Sequence, residues 1–542
     1  MKKSYPWNFL FPLLGVLASG SPGWAQVWPA SDLAFLNTLT RDVVESARVP
    51  AGTRVGTSPF NTQGFTLIKP GGGLQYPSMW VRDFAMSLES GFITVTEMQN
   101  HLTLIASRQN GATVRLLLNG LIVPPFAIPD HINFDGGAVF YPGTYSSSND
   151  QGGGGYGILP PVDDHYEFVH IAWCLFKATA ATGFLNNTVN GMTMLERLSA
   201  AFSVPKIDSL TGIVVTDAAQ RAVGFGFIDA IYVTGKMLFP SLLRYRAAGQ
   251  LAELYQALGQ AGRADSFRTI QRLIAVNVVP TFSEPQRIKG WLKAATLVGK
   301  QPDVWGTLFA LHLGLLSMDS TNGLSADTLI GTVMDAVRRR TMVYQGAVRH
   351  VPTDLNFSPT SAWEQTGVAF NTYQNGAFWH TPTAWMIEVV QKRDTVLASQ
   401  LFAEFIAHLR TNDFRLGVTT RQAPWECFHS SGYTQNGRYM TSVTLPWAIL
   451  SKPAVVAIHK AIKLDRNPSL FTTTYGQGTV TIRTIGKGFH DITVYGLNGN
   501  AVMHFRGAGE RSYFWRPTVG GVYQVRNLGT HGSYDKAIVM MK

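Results

Sequence analysis

Cysteine and charged residues are both scarce in this sequence. Of 542 residues only two are cysteines and 15% are charged, whereas 45% are hydrophobic. Two cysteines cannot supply the disulfide framework of a small exported domain, so stability must come from a buried core. The low charge and high apolar content also exclude a disordered chain. We expect one large domain with an accessory module.

Long apolar runs are missing too, and the run at the N-terminus is short. Lys2 and Lys3 precede an apolar run at residues 9–18, and Gly23 and Ala25 follow it. This is the three-part pattern of a secretory signal peptide, with an apolar core too short to span a membrane. We predict a signal peptide at residues 1–25. The mature protein is then exported, to the periplasm, the cell surface or the medium.

Acidic residues are fewer than basic ones, and the formal net charge is +11. Removing Lys2 and Lys3 with the signal peptide changes it to 11 − 2 = +9. The basic residues are dispersed, and the densest run, at residues 338–340, ends a predicted helix, where cations suit the helix dipole. Export and dispersed charge argue against a nucleic-acid partner.

Hydrophobic periodicity predicts about twelve helices. They are expected near residues 31–46, 81–92, 95–108, 163–182, 187–203, 228–259, 262–279, 303–317, 325–341, 376–392, 396–411 and 441–462. Long polar and aromatic connections alternate with short ones, which fits six antiparallel hairpins closed into an (α/α)6 toroid with a site at one end. Short strands are expected in the connections, at 212–216 and 347–351. Pro240, Pro446 and Pro453 predict kinks.

The pattern changes after about residue 467. Apolar and polar residues alternate at 478–483, 491–495, 521–525 and 537–540, with Gly, Asn and Pro turns between them. This predicts a small β-sandwich after the mainly α domain. The expected domains are therefore the signal peptide at 1–25, a helical catalytic domain at 26–466 and a β domain at 467–542.

The β domain carries three sequence features of its own. They are VYGLNGN at 494–500, WRP at 515–517 and GGVY at 520–523. Together they resemble the C-terminal sorting domains of type IX-secreted bacterial proteins. The resemblance implies the secretion machinery as a partner. The alternative is an immunoglobulin-like accessory module without a sorting role.

Two carboxylates lie beside aromatic residues where a loop leads into a predicted helix. Glu426 is in APWECF at 423–428, and Asp229 is in GFGFIDA at 224–230. Aromatic neighbours desolvate a carboxyl group and raise its pKa, as a general acid requires. A carboxylate so presented also suits a general base acting on water at a sugar. The two residues therefore suggest a glycosidase.

The stretch YPSMWVRD at residues 76–83 resembles the Trp-x-Arg-Asp segment with which glucoamylases hold the terminal sugar. Residues 30–462 as a whole resemble the six-hairpin glycosidases, the group of glucoamylases and trehalases. The resemblance implies that Trp80 stacks on a sugar while Arg82 and Asp83 bind vicinal hydroxyls. The alternative is that Asp83 merely pairs with the adjacent Arg82 at the start of a helix.

The same resemblance implies that Asp229 is the general acid and Glu426 the general base. Glucoamylases have Trp-Glu-Glu at the acid, and this chain does not, so Asp217 and Glu167 remain alternatives. Glu364, in a Glu-Gln pair like a glucoamylase base motif, is the alternative base. Its position before the tenth helix and not the twelfth favours Glu426.

Further polar and aromatic residues stand at the openings of predicted helices. Aromatic rings interleaved with amides and carboxylates suit a sugar, because its C–H faces stack and its hydroxyls form hydrogen bonds. Asp303 is equally suited to cap a helix. The expected substrate-binding residues besides Trp80, Arg82 and Asp83 are Asp164, Glu167, Asp303, Trp305, Glu364, Tyr373, Gln374, Asn375, Trp379 and Trp425.

No metal or cofactor is expected. The acidic and histidine residues at 163–167 match no standard metal-site spacing, and the glycines at 152–155 are not followed by the Lys and Ser/Thr of a phosphate loop.

The sequence predicts an exported, inverting, exo-acting glycoside hydrolase for α-glucosidic linkages of oligo- or polysaccharides, most simply a monomer. Two other functions stay open: a disaccharide phosphorylase on the same toroid, and a non-catalytic glycan-binding protein of a polysaccharide-uptake system. A carboxylate at Glu426 counts against the phosphorylase, which would need a phosphate site there.

Overall fold

The structure is a computed structural model that describes most of the chain. The described residues are 28–117, 120–141, 156–284, 290–316, 324–452, 471–476, 479–484, 488–496, 501–516, 521–529 and 532–540. The predicted signal peptide, the domain boundary near 466 and Pro453 lie outside these ranges.

Twelve α-helices are present in the described ranges, one for each predicted helix. They are α1 Ala30–Ala47, α2 Val81–Ser87, α3 Val95–Arg108, α4 Asp163–Thr179, α5 Met194–Phe202, α6 Leu238–Ala257, α7 Ala261–Phe282, α8 Val304–His312, α9 Ala326–Arg338, α10 Thr383–Gln391, α11 Thr395–Thr411 and α12 Thr441–Leu450.

The even-numbered helices form a closed ring. Each packs against the next in the order α2, α4, α6, α8, α10 and α12, and α12 packs back against α2. The odd-numbered helices pack outside this ring: α1 on α12, α3 and α5 on α4, α7 on α6, α9 on α8 and α10, and α11 on α10. All seven residues of α2 are buried, as expected of a helix with neighbours on every side. The predicted helical toroid is therefore confirmed.

Two inner helices, α6 and α10, begin several residues later than predicted. The sixth was expected from residue 228, but Gly226–Ile228 forms a single 3-10 turn and α6 begins at Leu238. Gly235 has φ +88° and pairs in a short strand, which keeps this segment out of the helix. Pro240 lies in the first turn of α6, where its missing N–H costs no helical hydrogen bond, so the predicted break is absent there. Pro446 does lie inside α12.

The connections carry short antiparallel strands. They are Arg48–Val49, Leu67–Ile68, Ser78–Trp80, Arg115–Leu116, Ile122–Val123, His131–Asn133, Ala138–Val139, Thr188–Val189, Met192–Thr193, Val215–Thr216, Gly235–Lys236, Val343–Tyr344, Ala347–Val348, Trp425–Phe428 and Thr434–Gly437. Both predicted strands are present but shorter, as Val215–Thr216 and Ala347–Val348.

The described ranges after residue 470 contain seven strands. They are Phe471–Gly476, Thr479–Thr484, Phe489–Gly496, Ala501–Ala508, Ser512–Trp515, Gly521–Gly529 and Gly532–Met540. In chain order, the first, second and fifth form one antiparallel sheet, and the others form a second in the order fourth, third, sixth, seventh. Val480, Ile482 and Trp515 of the first sheet share an apolar cluster with Ile492, Val494 and Val525 of the second.

The helical ring encloses one continuous apolar core, and Cys174 and Cys427 are both buried in it as free thiols. No helix within the described ranges is long and apolar enough to span a membrane.

Candidate active site

A cavity of about 500 Å³ opens where the long connections meet the N-terminal ends of the inner helices. It brings together six of the predicted site residues from four separate parts of the chain: Trp80, Arg82, Asp83, Asp229, Tyr373 and Glu426. Tyr76, Tyr156, Asn436 and Tyr439 line it as well.

Glu426 lies in the hairpin of Trp425–Phe428 and Thr434–Gly437. Its Oε2 accepts hydrogen bonds from the Tyr76 hydroxyl at 2.7 Å and from Asn436 Nδ2 at 2.6 Å. Burial raises the pKa of Glu426 to about 8, these two hydrogen bonds oppose the shift, and the nearby charges of Asp83 and Asp229 add to it. Within the described residues no protein group donates to Oε1, so this oxygen is free to bind water.

Asp229 directly follows the 3-10 turn of Gly226–Ile228. Its Oδ1 accepts hydrogen bonds from Gln374 Nε2 at 2.5 Å and from the Ala230 backbone N–H at 2.9 Å. Burial raises the pKa of Asp229 to about 6, against the effect of the Gln374 hydrogen bond. Oδ2 has no donor in the described part of the chain. Both carboxyl groups thus have one oxygen held and one available.

Tyr373 is close to both carboxyl groups. Burial raises the pKa of its phenol well above the usual value, and the charges of Asp229 and Glu426 raise it further. The phenol therefore remains neutral and can act as a hydrogen-bond donor in the cavity. Tyr373 has φ +40°, a conformation that bulky residues rarely adopt.

The Arg82 guanidinium donates its hydrogen bonds to buried carboxylates and does not direct them into the open cavity. Its Nη2 donates to Asp130 at 2.6 Å and to Asp164 at 2.7 Å, and its Nε donates to Asp163 at 2.8 Å. All three carboxylates are fully buried. The arginine compensates charges that would otherwise be costly to bury. A Cβ at Gly226 would lie 2.0 Å from Arg82 Nε, so the glycine provides the space for this side chain.

Asp83 has a different environment from its neighbour. Tyr439 donates a hydrogen bond of 2.5 Å to Asp83 Oδ1. Burial raises the pKa of Asp83 to about 6. Trp80 stacks on His131 with ring centroids 4.4 Å apart and meets the Tyr76 ring edge-on at 4.9 Å. Aromatic and carboxylate groups thus form one wall of the cavity.

Nine of the fifteen predicted site residues do not line this cavity, and four of these nine are Asp303, Trp305, Trp379 and Glu167. Asp303 is buried and caps α8, accepting from the Gly306 backbone N–H at 2.8 Å. Trp305 and Trp379 are buried behind Phe227, with centroid distances of 5.6 and 5.7 Å to its ring. They were expected to face the sugar, but Phe227 is the aromatic ring of this group that reaches the cavity.

Glu167, the fourth, pairs with Arg246 at 2.7 Å. Both belong to another cavity, of about 300 Å³, which is lined by residues of helices α2, α4, α6, α7, α8, α10 and α12. Asp217, the other alternative acid, is exposed and pairs with Lys206 at 3.4 Å. Neither alternative reaches the proposed site.

The remaining predicted residues act through neighbours or lie at the surface. Gln374 holds Asp229. Asn375 holds its own loop by accepting from the Ala362 N–H at 2.9 Å and donating to the Val368 carbonyl at 3.0 Å.

Glu364, the alternative base, is exposed and accepts from the Gly299 N–H at 2.9 Å. Trp425 packs against the small apolar cluster of Ala347, Phe378 and Phe428. Asp164, described above, is bound to Arg82.

Tyr76, Asn436 and Tyr439 were not among the predicted site residues. Tyr76 begins the YPSMWVRD stretch, which was a usable signal. Asn436 stands opposite Glu426 in a hairpin that pairs Trp425 with Gly437 and Cys427 with Gln435. The sequence does not show that these two residues are opposite each other, because the length of the hairpin turn sets the register of the two strands. In the described part of the chain no group of three or more His, Cys, Asp or Glu side chains is arranged to hold a metal ion.

Solved structures with a similar overall arrangement include several glycosidases. Glucoamylase from Saccharomycopsis fibuligera has 11% identity and a TM-score of 0.45, with 80% of this chain and 96% of that chain covered. GH63 mannosylglycerate hydrolase from Thermus thermophilus, in complex with glucose, has 14% identity and a TM-score of 0.43, with 76% and 99% covered.

A third similar structure is an uncharacterized conserved protein from Thermus thermophilus, with 13% identity, a TM-score of 0.45, and 76% and 99% covered. No protein-family model and no curated protein sequence matches this chain. Similarity at these low TM-scores carries no functional conclusion, so the function is argued from the site.

Proposed function

We propose that the protein is a secreted glycoside hydrolase with Asp229 as general acid and Glu426 as general base. One observation carries the proposal: two buried carboxyl groups line one cavity, and each has one oxygen held by protein donors and the other oxygen available. A pair of carboxyl groups at one cavity is the machinery that glycoside hydrolysis requires.

The proposed reaction uses the two available oxygens. Asp229 protonates the oxygen of the leaving sugar through Oδ2. Glu426 accepts a proton from a water held at Oε1, and that water attacks the anomeric carbon from the opposite face. The configuration is inverted and no glycosyl-enzyme forms. Tyr76 and Asn436 orient the Glu426 carboxylate toward the water.

The direction of proton transfer depends on where the shared proton lies. Burial raises the pKa values to about 6 for Asp229 and about 8 for Glu426, so the pair carries one proton between these pH values. The pKa order alone would place that proton on Glu426. A leaving-group oxygen that accepts from Asp229 favours the protonated form of the acid. Substrate binding is therefore proposed to move the proton to Asp229.

The size and lining of the cavity suit the end of a saccharide chain, which is small and partly apolar. Its volume of about 500 Å³ is in the range of small-ligand sites, roughly 300–1,000 Å³. Trp80, Tyr76 and Phe227 offer ring surface, and Asp83 and Tyr373 offer hydrogen-bonding groups. We infer an exo-acting enzyme that takes the end of an oligo- or polysaccharide. The preference for α-glucosidic linkages rests on the glucoamylase-like YPSMWVRD stretch alone.

Export and sorting complete the proposal. Residues 1–25 direct secretion, and the two C-terminal sheets with their shared apolar cluster form a β-sandwich that sorts the protein to its final location. The catalytic domain is proposed to end near residue 466 and to act as a monomer.

The decisive experiment compares Asp229→Asn and Glu426→Gln in the mature protein, with Glu364→Gln as a matched control outside the cavity. An oligosaccharide panel with and without phosphate identifies the substrate and excludes phosphorolysis. We expect both site variants to lose about three orders of magnitude in turnover, and the control to keep its activity.

A substrate with an activated leaving group assigns the two roles, because it needs no protonation. It should restore activity to Asp229→Asn and not to Glu426→Gln. If the activated substrate restores activity to Glu426→Gln instead, then Glu426 is the general acid and Asp229 the general base. Full activity of both site variants would refute the proposal, and so would products that form only with phosphate.

A further inference from the structure

A second cavity, of about 800 Å³, lies beside the candidate active site. One loop, residues 368–378, contributes to both: Val368 and Tyr373 line the active-site cavity, whereas Phe370 and Asn371 line the second one. The proposed hydrolysis uses no residue of the second cavity.

The second cavity contains a buried arginine without an ion-pair partner. Arg349 is 1% exposed, and its Nε donates to the Gly376 carbonyl at 2.8 Å. Its Nη1 is buried and has no hydrogen-bond partner, and no carboxylate within the described ranges pairs with it. Burial lowers the pKa of Arg349 to about 10, so the group is still charged at neutral pH. A buried charge without a counter-ion is costly to maintain.

The backbone is shaped to hold this guanidinium at the cavity wall. Gly376 has φ +111°, which other residues rarely adopt. The position that a Cβ would take there is 2.6 Å from Arg349 Nη2 and 3.2 Å from Asn371 Oδ1. The glycine therefore lets the arginine and the asparagine side chains approach the same point.

The other charged groups of the cavity do not compensate Arg349. Glu404 is paired with Arg340, with Oε2 accepting from Nη1 at 2.8 Å. His429 is partly buried, and burial together with the charge of Arg349 lowers its pKa, so it adds no negative charge.

The rest of the wall suits an organic ligand. Tyr344, Phe370 and Phe378 provide ring surface, and Asn371 provides a polar side chain. Asn356 Oδ1 is a buried acceptor with no hydrogen-bond donor in the part of the chain that the structure describes. A ligand that fits needs an anionic group for Arg349, a donor for Asn356 and an apolar face for the rings.

We propose that this cavity is a binding site for a small molecule that carries an oxyanion, a carboxylate or a phosphate, on a hydroxylated carbon skeleton, as in an acidic sugar. Arg349 binds the oxyanion through its guanidinium fork. The site is distinct from the carboxyl pair and does not depend on the hydrolytic activity.

The test is titration calorimetry on the mature protein with D-glucuronate, D-glucose 6-phosphate, inorganic phosphate and neutral D-glucose. The key variant is Asn371→Asp, which places a carboxylate beside Arg349 and should neutralise it internally. Asn371 has φ +61°, a conformation that aspartate tolerates, so the variant should fold. Asn190→Asp is the matched control, since Asn190 also has a positive φ, of +45°, and lies away from the cavity.

We expect wild type and Asn190→Asp to bind at least one acidic ligand, and Asn371→Asp to bind it about tenfold to a hundredfold more weakly. Arg349→Lys keeps the charge, loses the fork, and should also bind more weakly. Asp83→Asn, in the active-site cavity, should leave this binding unchanged. Absence of acidic-ligand binding at millimolar concentration in wild type would overturn the proposal. Equal binding by Asn371→Asp and Asn190→Asp, or loss of binding only in Asp83→Asn, would do so as well.

Discussion

Tyr76 and Glu426 are 350 positions apart in the chain and are joined by a hydrogen bond of 2.7 Å from the tyrosine hydroxyl to Glu426 Oε2. The bond connects the segment before α2 to the hairpin before α12, two helices that are neighbours in the closed ring. Ring closure therefore assembles the proposed base, and this relationship leads to the first prediction.

Replacing Tyr76 with Phe removes one donor that favours the ionised form of Glu426. The pKa of Glu426 should rise further, so less of the base is ionised at neutral pH. We expect kcat/KM at pH 7 to fall by about 10- to 100-fold, as for the loss of a hydrogen bond to a charged group. The higher apparent pKa of the pH–rate profile, about 8 in wild type, should move upward. Tyr255→Phe, which removes a hydroxyl that contacts Ser199 elsewhere, is the control. An unchanged profile in Tyr76→Phe would contradict the role of Glu426.

The stereochemistry of the product tests the mechanism. If a water fits between Glu426 and the sugar, the two carboxyl groups should be about 6.5–9.5 Å apart, and an α-linked substrate should release a β-product first. Proton NMR of the earliest product, before mutarotation, measures this. A product of retained configuration, or a sugar trapped covalently on either carboxylate, would rule out inversion.

Removing the Arg82 guanidinium should destabilise the fold and not only the site. In Arg82→Met the fully buried carboxylates of Asp130, Asp163 and Asp164 lose their common partner. We expect a loss of about 3–5 kcal/mol in unfolding free energy, measured by urea denaturation followed by circular dichroism. Arg410→Met removes an exposed pair with Asp32 and should cost about 1 kcal/mol or less. Equal stability of the two variants would show that the Arg82 cluster is dispensable.

Asp303 should make the folded protein less stable as the pH rises. Burial raises the pKa of Asp303 to about 7, whereas the pKa of an aspartate in an unfolded chain is about 4. Between these values the folded state binds more protons, so the unfolding free energy falls with rising pH and the loss is complete above pH 7. Asn can still cap α8. The difference in unfolding free energy between Asp303→Asn and wild type should therefore be more favourable to the variant at pH 8 than at pH 5.

Asp394→Asn is the matched control for that titration. Asp394 caps α11 at the surface, and hydrogen bonds from Leu397 and Arg338 lower its pKa. Its stabilising contribution is present above the unfolded pKa, so the asparagine variant should lose stability at pH 5 and pH 8 alike. Thermal unfolding at both pH values measures the two variants. If both variants change stability with pH in the same way, the pH dependence does not come from the titration of Asp303.

Truncation tests the proposed domain division. A chain ending after residue 466 should fold and retain hydrolytic activity, because the C-terminal strands have their own apolar cluster and none of their described residues lines the active-site cavity. Secretion or surface attachment should suffer instead. Insoluble truncated protein, under conditions where the full chain is soluble, would refute independent domains.

The helices were predictable from two kinds of apolar pattern. Outer helices such as α9 have an apolar stripe of period 3.6, whereas inner helices such as α2 and α8 are apolar on nearly every side because they are buried in the ring. All twelve were located from these patterns. The start of α6 was placed ten residues too early because the aromatic run around Asp229 is as apolar as a helix. A 3-10 turn and the strand pairing of Gly235 interrupt it, and both depend on contacts with other segments.

The site was only partly predictable from the sequence. Asp229, Glu426 and the Trp80–Asp83 segment could be recognised because a carboxylate or arginine beside aromatic rings is rare and local. The sequence could not show which aromatic rings face the cavity. Trp305 and Trp379 were therefore expected to line it, although Phe227 covers them.

The sequence by itself determined the twelve apolar helical segments, the strand pattern after residue 467, and the two carboxylates with their aromatic neighbours, since these are properties of residue type and spacing. Only the tertiary structure decided that Tyr76 and Asn436 hold Glu426, that Arg82 is bound by three carboxylates, and that Arg349 is buried without a counter-ion among the described residues. These relationships join residues far apart in the chain, and closure of the helical ring and the register of a hairpin create them.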